Sequence, residues 1–299
     1  MHKLLVIGGS GLIGSTLLQN CPQSWELLAT YNKNFQNISN IKHEKIDLLD
    51  DDDPILSLIE KTCPDFVVHT VAYPSVDFCE EEHSLASKLH VEKTEKITKV
   101  CKDCNSKLLF LSTDAVFNGQ LTRKYSENDL PDPINYYGLT KLNAEKIVLN
   151  TSKNNIVLRT AVVYGNHKKS RFTNWILDYL QQKRTVDPFV DQYNTPTLVN
   201  DLVKSIVLTL QKNISGLFHA TGPECINRFE FAKKLAEMFG HDVSLIKPVT
   251  SKEKKQIAPR PVNTCLDSKK LESLIDFKFH DIENGISYLS GFETQFSKT

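Results

Sequence analysis

The segment "INYYGLTK" (134–141) places two tyrosines ahead of a lysine. A free phenol has a pKa near 10 and is a poor acid–base catalyst at neutral pH. A lysine ammonium beside it would stabilise the phenolate and lower that value. On a helix, residues four apart share a face and residues five apart do not. Tyr137 and Lys141 are four apart, while Tyr136 and Lys141 are five apart. Helical geometry therefore selects Tyr137. A second group stands upstream in "LLFLSTDAVFNG", where Ser112, Thr113 and Asp114 end an apolar run. A hydroxyl there could hydrogen-bond a carbonyl oxygen. The phenol could then give that oxygen a proton while a hydride arrives at carbon. Taken alone, the Tyr–Lys spacing also describes many solvated helix pairs, and Ser-Thr-Asp is also a turn sequence.

The third motif is "VIGGSGLIGSTLL", with Gly8, Gly11 and Gly14 three residues apart. It follows an apolar strand and opens a helix through Leu12 and Ile13. A turn without Cβ atoms lets backbone amides approach a pyrophosphate, and the helix N-terminus adds partial positive charge. Gly14 would permit close helix–sheet packing. The second strand normally ends in an acid that holds the ribose 2′-hydroxyl of NAD. Here it reads "ATYNKNF", and no Asp or Glu lies between Leu27 and Lys42. Lys33 could neutralise a 2′-phosphate and Asn32 could donate to it, so the cofactor expected is NADPH, with NADH as the alternative. Asp47, ending "KIDL" beside Leu48, could accept from an adenine amino group, or serve as a turn aspartate. Tyr73, after the run "DFVVHTVA", is a further cofactor-contact candidate.

These groups need a frame. Strand candidates are 3–8, 26–31, 45–48, 65–72, 107–113 and 155–165, most of them unbroken apolar runs. Such runs suit strands covered on both faces. Helical patterns lie between them at 12–20, 54–62, 84–101 and 136–150. Asn135 is the expected N-cap of the last, and Pro131 and Pro133 prevent an earlier start. This alternation predicts an α/β fold: a Rossmann-type, doubly wound parallel sheet with a smaller C-terminal α+β substrate lobe. The dinucleotide-binding domain is expected to span 1–165 plus about 190–215. The lobe would take about 166–189 and 216–299, with helices at 170–184, 201–212 and 228–240, the last stopped by Gly240. The segment "SKEKKQIAPRP" (251–261) reads as surface.

Bulk composition excludes several classes. Among 299 residues, 36 Lys and Arg balance 36 Asp and Glu. A neutral chain lacks the basic footprint for nucleic acid or an anionic membrane. No apolar run reaches the ~18 residues of a membrane span, and the glycine-interrupted N-terminus reads as a strand, not a signal peptide. Seven cysteines show no regular spacing. "CKDC" (101–104) lacks the second pair of a zinc ribbon and reads as a helix end running into a polar turn. No metal site is expected. Free cysteines point to a reducing compartment, hence a cytoplasmic protein. A homodimer is compatible with the sequence.

The motifs together resemble the extended short-chain dehydrogenase/reductases, and within them the dTDP-4-dehydrorhamnose reductase family. "GGSGLIG", "STDAVFNG", "YSENDLPDPINYYGLTKLNAEK", "VLRTAVVYG", "VDQYNTPT", "FHATGPECINRFEFAKKLAE" and "RPVNTCLDSKKL" occur in family order over nearly the whole chain. The resemblance implies binding of NADPH or NADH and reduction of a nucleotide-linked 4-keto deoxysugar. Thr113 would polarise the ketone, Tyr137 would donate the proton, and Lys141 would partner Tyr137 and the nicotinamide ribose. Ser112, Asp114, Val162 and Arg260 would contact substrate, with Arg260 able to clamp a diphosphate. Four positions depart from the family. His69-Thr70-Val71 replaces an asparagine with alanines, and His90 stands where the family has a proton-relay asparagine. Ala115 replaces a tyrosine, and Val162 a sugar-contacting tryptophan. Two other readings follow: a nucleotide-sugar epimerase or dehydratase, and a non-catalytic NADP-binding subunit resembling the regulatory subunit of methionine adenosyltransferase.

Overall fold

The computed structural model describes residues 2–35, 37–39 and 41–296, with side chains described as far as Leu289. The last three residues of the expected lobe lie outside the described residues. The chain opens with β1 (Lys3–Ile7), α1 (Leu12–Asn20), β2 (Glu26–Tyr31), β3 (Lys42–Lys45), α2 (Pro54–Thr62) and β4 (Phe66–His69). Short helices α3 (Val76–Glu81) and α4 (His83–Ser87) lead through a π-helical turn at Lys88–Glu92 into α5 (Lys93–Asp103). Then come β5 (Lys107–Thr113), α6 (Tyr136–Thr151), β6 (Ile156–Thr160) and β7 (Val163–Tyr164). The remainder is α7 (Arg171–Gln181), β8 (Tyr193–Asn194), β9 (Thr197–Leu198), α8 (Val199–Gln211), β10 (Gly216–His219), β11 (Ile226–Asn227), α9 (Arg228–Met238), α10 (Lys269–Ile275) and α11 (Ile282–Phe296).

Seven strands form one sheet in the order β10-β6-β5-β4-β1-β2-β3, and every pairing in it is parallel. Strand β1 explains the double winding. Its side chains alternate between faces. Leu4 and Val6 join one core with α1 and α8, while Leu5 and Ile7 join a second with α2, α5 and α6. Each fully buried aliphatic side chain contributes roughly 1.5–3 kcal/mol, so both faces need covering. Strand order reverses between β1, followed by β2, and its other neighbour β4. Ligands of open α/β sheets bind outside the strands' carboxyl ends at such a switch point.

Several expected boundaries move. The apolar run at 155–165 breaks into β6 and β7 at Val162, whose φ of +43° is left-handed. The pattern at 84–101 is interrupted by the π-helical turn around His90. β3 ends at Lys45, so Asp47 lies beyond it. β10 pairs with β6 in the main sheet, and Leu271, Ile275 and Phe279 pack in the core beneath that sheet. The expected lobe boundary near 216 therefore cuts through sheet structure. Outside the sheet, α9 packs with α7 and α11. Cys225 and Cys265 form a disulfide, which corrects the expectation that the cysteines are free; the other five are unpaired. The pair "CKDC" ends α5 as expected, with Cys104 capping it and Asn105 at φ +55°.

Candidate active site

The turn after β1 shows why glycine is needed there. Gly8 has φ +92°, and a Cβ on it would sit 2.6 Å from Thr70 Oγ1. A Cβ on Gly14 would sit 2.3 Å from the Gly8 carbonyl oxygen, all of it backbone contact. Helix α1 thus lies directly on the turn. Gly11 is its N-cap and offers no side-chain cap, so the first-turn amides face outward as an anion-binding end. Lys169 Nζ donates to the Ser10 carbonyl at 2.8 Å and brings a cation to the same turn.

That turn forms one end of a cleft of about 1020 Å³. Gly8, Gly11, Leu12, Ile13, Asn32, Lys33, Asp47, Leu48 and Tyr73 line it, as do Ser112, Thr113, Asp114, Tyr137, Lys141 and Val162. The sequence candidates are brought together with two exceptions. Gly14 packs behind the wall, as its spacing predicted. Arg260 stands outside, with Nη2 on Asp77 at 2.9 Å and Nη1 on the Ala258 carbonyl at 2.8 Å. Its clamp function is not what its geometry shows, because its guanidinium is already engaged.

Tyr137 and Tyr136 separate as helical geometry requires. Asn135 caps α6, its Oδ1 accepting from Gly138 N at 2.9 Å. Tyr136 stacks on His83 at 3.6 Å between ring centroids and hydrogen-bonds Ser87 at 2.8 Å, away from the cleft. Burial raises the pKa of Tyr137 and the Thr113 hydroxyl beside it works the other way, so the phenol keeps its proton at physiological pH. Lys141 is buried, with Nζ donating to the Leu111 carbonyl at 2.7 Å and 3.9 Å above the Phe110 ring. Burial lowers its pKa from 10.5 to about 7. The simple expectation that Lys141 depresses Tyr137 is therefore not the dominant effect, because desolvation acts on both.

The residues after β5 are more committed to structure than expected. Ser112 donates to Glu145, which pairs with Arg159 at 2.7 Å, both side chains 2% exposed. The Ser112 hydroxyl is thus used internally. Asp114 accepts from Thr264, from Asn194 Nδ2 at 2.7 Å and from Thr113 Oγ1 at 3.1 Å. Its carboxylate joins β5 to the strands of the lobe and has little capacity left for substrate. Thr113 Oγ1 also accepts from Ala115 N at 3.1 Å. Asp47 Oδ1 accepts from Leu49 N at 3.0 Å, the bond of a turn aspartate, while the residue still lines the cleft.

Two departures acquire a physical account. His90 Nε2 accepts from the Tyr73 amide at 2.8 Å, so Nδ1 carries the hydrogen and donates to Thr140 Oγ1 at 2.9 Å. Burial lowers its pKa to about 3. The ring stays neutral and ties the Tyr73 loop to α6. His69 is buried against Phe110, with Nε2 at 3.4 Å from Thr94, and its pKa is likewise pushed down to about 3 by burial. It belongs to the core; Thr70 and Val71 face the cleft instead.

Sequence reasoning missed Thr160, Lys168, Lys169, Arg171 and Arg228, which also line the cleft. The run "HKKSR" directly after the strand residues 163–164 is the signal that was available: cations at the carboxyl end of a parallel strand. Arg228 gave none, being one arginine at the start of a helix.

Fold and site together define a Rossmann-type dinucleotide-binding protein of the extended short-chain dehydrogenase/reductase class, with a glycine turn and a Tyr–Lys pair in one cleft. The "RmlD substrate binding domain" family model matches residues 1–290, and the chain belongs to that family. It is 27% identical over 297 residues to the "Probable low-salt glycan biosynthesis reductase Agl14" of Haloferax volcanii, covering 98% of each chain. It is 31% identical over 282 residues to methionine adenosyltransferase 2 subunit beta of Mus musculus, covering 91% of this chain and 82% of that one. The crystal structure of dTDP-4-dehydrorhamnose reductase from Bacillus anthracis in complex with NADP superposes with a TM-score of 0.86 at 23% identity, over 100% and 99% of the two chains. Among the described residues no helix is long and apolar enough to cross a membrane, and no cluster of metal-ligating side chains occurs.

Proposed function

We propose that this protein is an NADPH-dependent reductase of a nucleotide-linked 4-keto deoxysugar. One observation carries the reading: Thr113, Tyr137 and Lys141 share a single cleft with the glycine turn, at the carboxyl ends of β1, β4 and β5. The residues present fit a dinucleotide. Gly8 and Gly11 clear space for it, the uncapped amides of α1 suit a pyrophosphate, and Asn32 and Lys33 suit a 2′-phosphate. Lys169 adds charge beside the turn. NADP in the Bacillus anthracis structure supports the same assignment. Bound there, NADPH would supply the hydride.

The chain's own part is to hold the ketone and deliver the proton. The Thr113 hydroxyl, turned from Asp114 toward the substrate oxygen, polarises the carbonyl. Tyr137, kept protonated by burial, donates to that oxygen as negative charge develops on it. Lys141, anchored by the Leu111 carbonyl, is placed to bond the nicotinamide ribose and to offset charge on the spent phenolate. The walls from β4 and α6 exclude water from the transfer. Tyr137→Phe tests the reading. NADPH oxidation with dTDP-4-keto-6-deoxy sugars should fall at least about 100-fold while NADPH affinity holds. Unchanged turnover in the variant would refute the assignment.

A second reading rests on the 31% identity to methionine adenosyltransferase 2 subunit beta, which exceeds the likeness to the Haloferax volcanii reductase. A non-catalytic subunit would bind NADPH tightly, turn over none of these ketones and co-purify with an enzyme.

A further inference from the structure

Arg228 is an arginine in an unfavourable place. It is the first residue of α9, where the helix dipole presents positive charge. Its guanidinium lines the cleft. Burial lowers its pKa to about 10, with Asp114 the carboxylate nearest in influence and Arg260 a repelling neighbour. Asp114 cannot serve as a dedicated counter-ion, because Thr113, Asn194 and Thr264 already donate to it. Among the described residues Arg228 makes no hydrogen bond or ion pair; its recorded contact is the face of the Phe172 ring, 5.3 Å away. A buried charge without a partner costs several kcal/mol, and a fold that keeps one beside a cavity has a use for it.

Thr160 is the independent second observation. It ends β6, is 8% exposed, and lines the same cleft. Its Oγ1 is buried with no hydrogen-bond partner. Between these two residues in the cleft wall lies Val162, held at φ +43°, a conformation costly for a β-branched side chain. The family's tryptophan at that position is gone, so this part of the wall offers a cation and a hydroxyl in place of an aromatic platform.

We propose that Arg228 and Thr160 form an oxyanion-binding subsite of the substrate cleft, which takes a carboxylate or phosphate group carried by the substrate. The subsite rests on the cleft being a substrate cleft, as the proposed function has it, but not on Tyr137 chemistry. A guanidinium presents paired N–H donors that match either group bidentately. Two sources share that chemistry: the diphosphate of a nucleotide sugar, and a carboxylate on the sugar ring.

The test is calorimetric binding to the NADPH-saturated protein, which requires no turnover. Thymidine diphosphate, uridine diphosphate, UDP-glucose and UDP-glucuronate are titrated into wild type, Arg228→Met and Thr160→Val. Loss of a charge-assisted bond predicts at least about 10-fold weaker binding in Arg228→Met, and loss of a neutral bond about 3- to 10-fold in Thr160→Val. Weakening of every ligand assigns the diphosphate. Weakening of UDP-glucuronate alone assigns a sugar carboxylate. Either supports the subsite. Thermal melting of Arg228→Met should match or exceed wild type, since an unpaired buried cation is removed. Affinities equal in wild type and both variants, or no binding of any of the four by wild type, overturn it. A Tyr137→Phe variant that keeps these affinities separates failure of the chemistry from failure of the subsite.

Discussion

Lys141 offers the sharpest physical test of the site. It is 3% exposed, and burial takes its pKa from 10.5 to about 7, against the opposing charge of Glu145 one helical turn away. Between those values the unfolded chain holds a proton that the folded chain has released. Stability therefore rises with pH across that window, because the unfolded state binds more protons. Each pH unit is worth about 1.4 kcal/mol. From about pH 7 to about pH 9 this one amine adds roughly 2–3 kcal/mol. Lys141→Met keeps an apolar stem over Phe110 and removes the titration. Urea unfolding of both proteins at about pH 6, 7, 8 and 9 isolates the term, because titrations common to both cancel in the difference. The advantage of the variant over wild type should be flat below about pH 7 and shrink by roughly 2–3 kcal/mol by about pH 9. Turnover should be lost in the same variant. A difference that stays constant across the range would show that folded Lys141 keeps its proton, and the desolvation argument would fail.

Other substitutions test the frame. Gly14→Ala puts a methyl 2.3 Å from the Gly8 carbonyl oxygen; α1 must shift off the turn, so stability should fall by about 1–3 kcal/mol and NADPH affinity with it, read by denaturation and fluorescence titration. Arg159→Met leaves the Glu145 carboxylate buried and should cost about 3–5 kcal/mol in urea unfolding. Adding Glu145→Leu to that variant should recover most of the loss, since no charge is then left unpaired.

Much of this site was legible in sequence because it depends on local period. α1 at 12–20, β2 at 26–31 and β5 at 107–113 fall where the apolar patterns place them. The choice of Tyr137 over Tyr136 needs only the pitch of a helix. What escaped was pairing at long range. Nothing near Arg260 reveals that Asp77, 183 residues earlier, holds its guanidinium. The Ser112 hydroxyl looked free until Glu145 was placed beneath it. His90 could be a relay or a core residue on sequence grounds; only the Tyr73 amide on Nε2 decides. β10 is a short strand whose membership in the sheet depends on β6. Arg228 and Thr160 meet at one cavity through chain folding alone.

The protonation states also bear on the direction of the chemistry. Oxidising an alcohol requires the phenolate of Tyr137 as base, whereas reducing a ketone requires the phenol as acid. Burial raises Tyr137 and lowers Lys141, so the folded site stores its proton on the phenol. The Asp114 carboxylate close to the phenol raises Tyr137 further. An epimerase or dehydratase must oxidise its sugar before it can complete a cycle, and would begin each turnover against this bias. A reductase begins with it. The same bias agrees with the missing acid after β2, since enzymes that recycle their cofactor within one turnover hold NAD, and the ribose-binding acid that favours NAD is absent between Leu27 and Lys42. Electrostatics at the phenol and chemistry at the ribose, read from opposite ends of one cleft, favour the reductive direction.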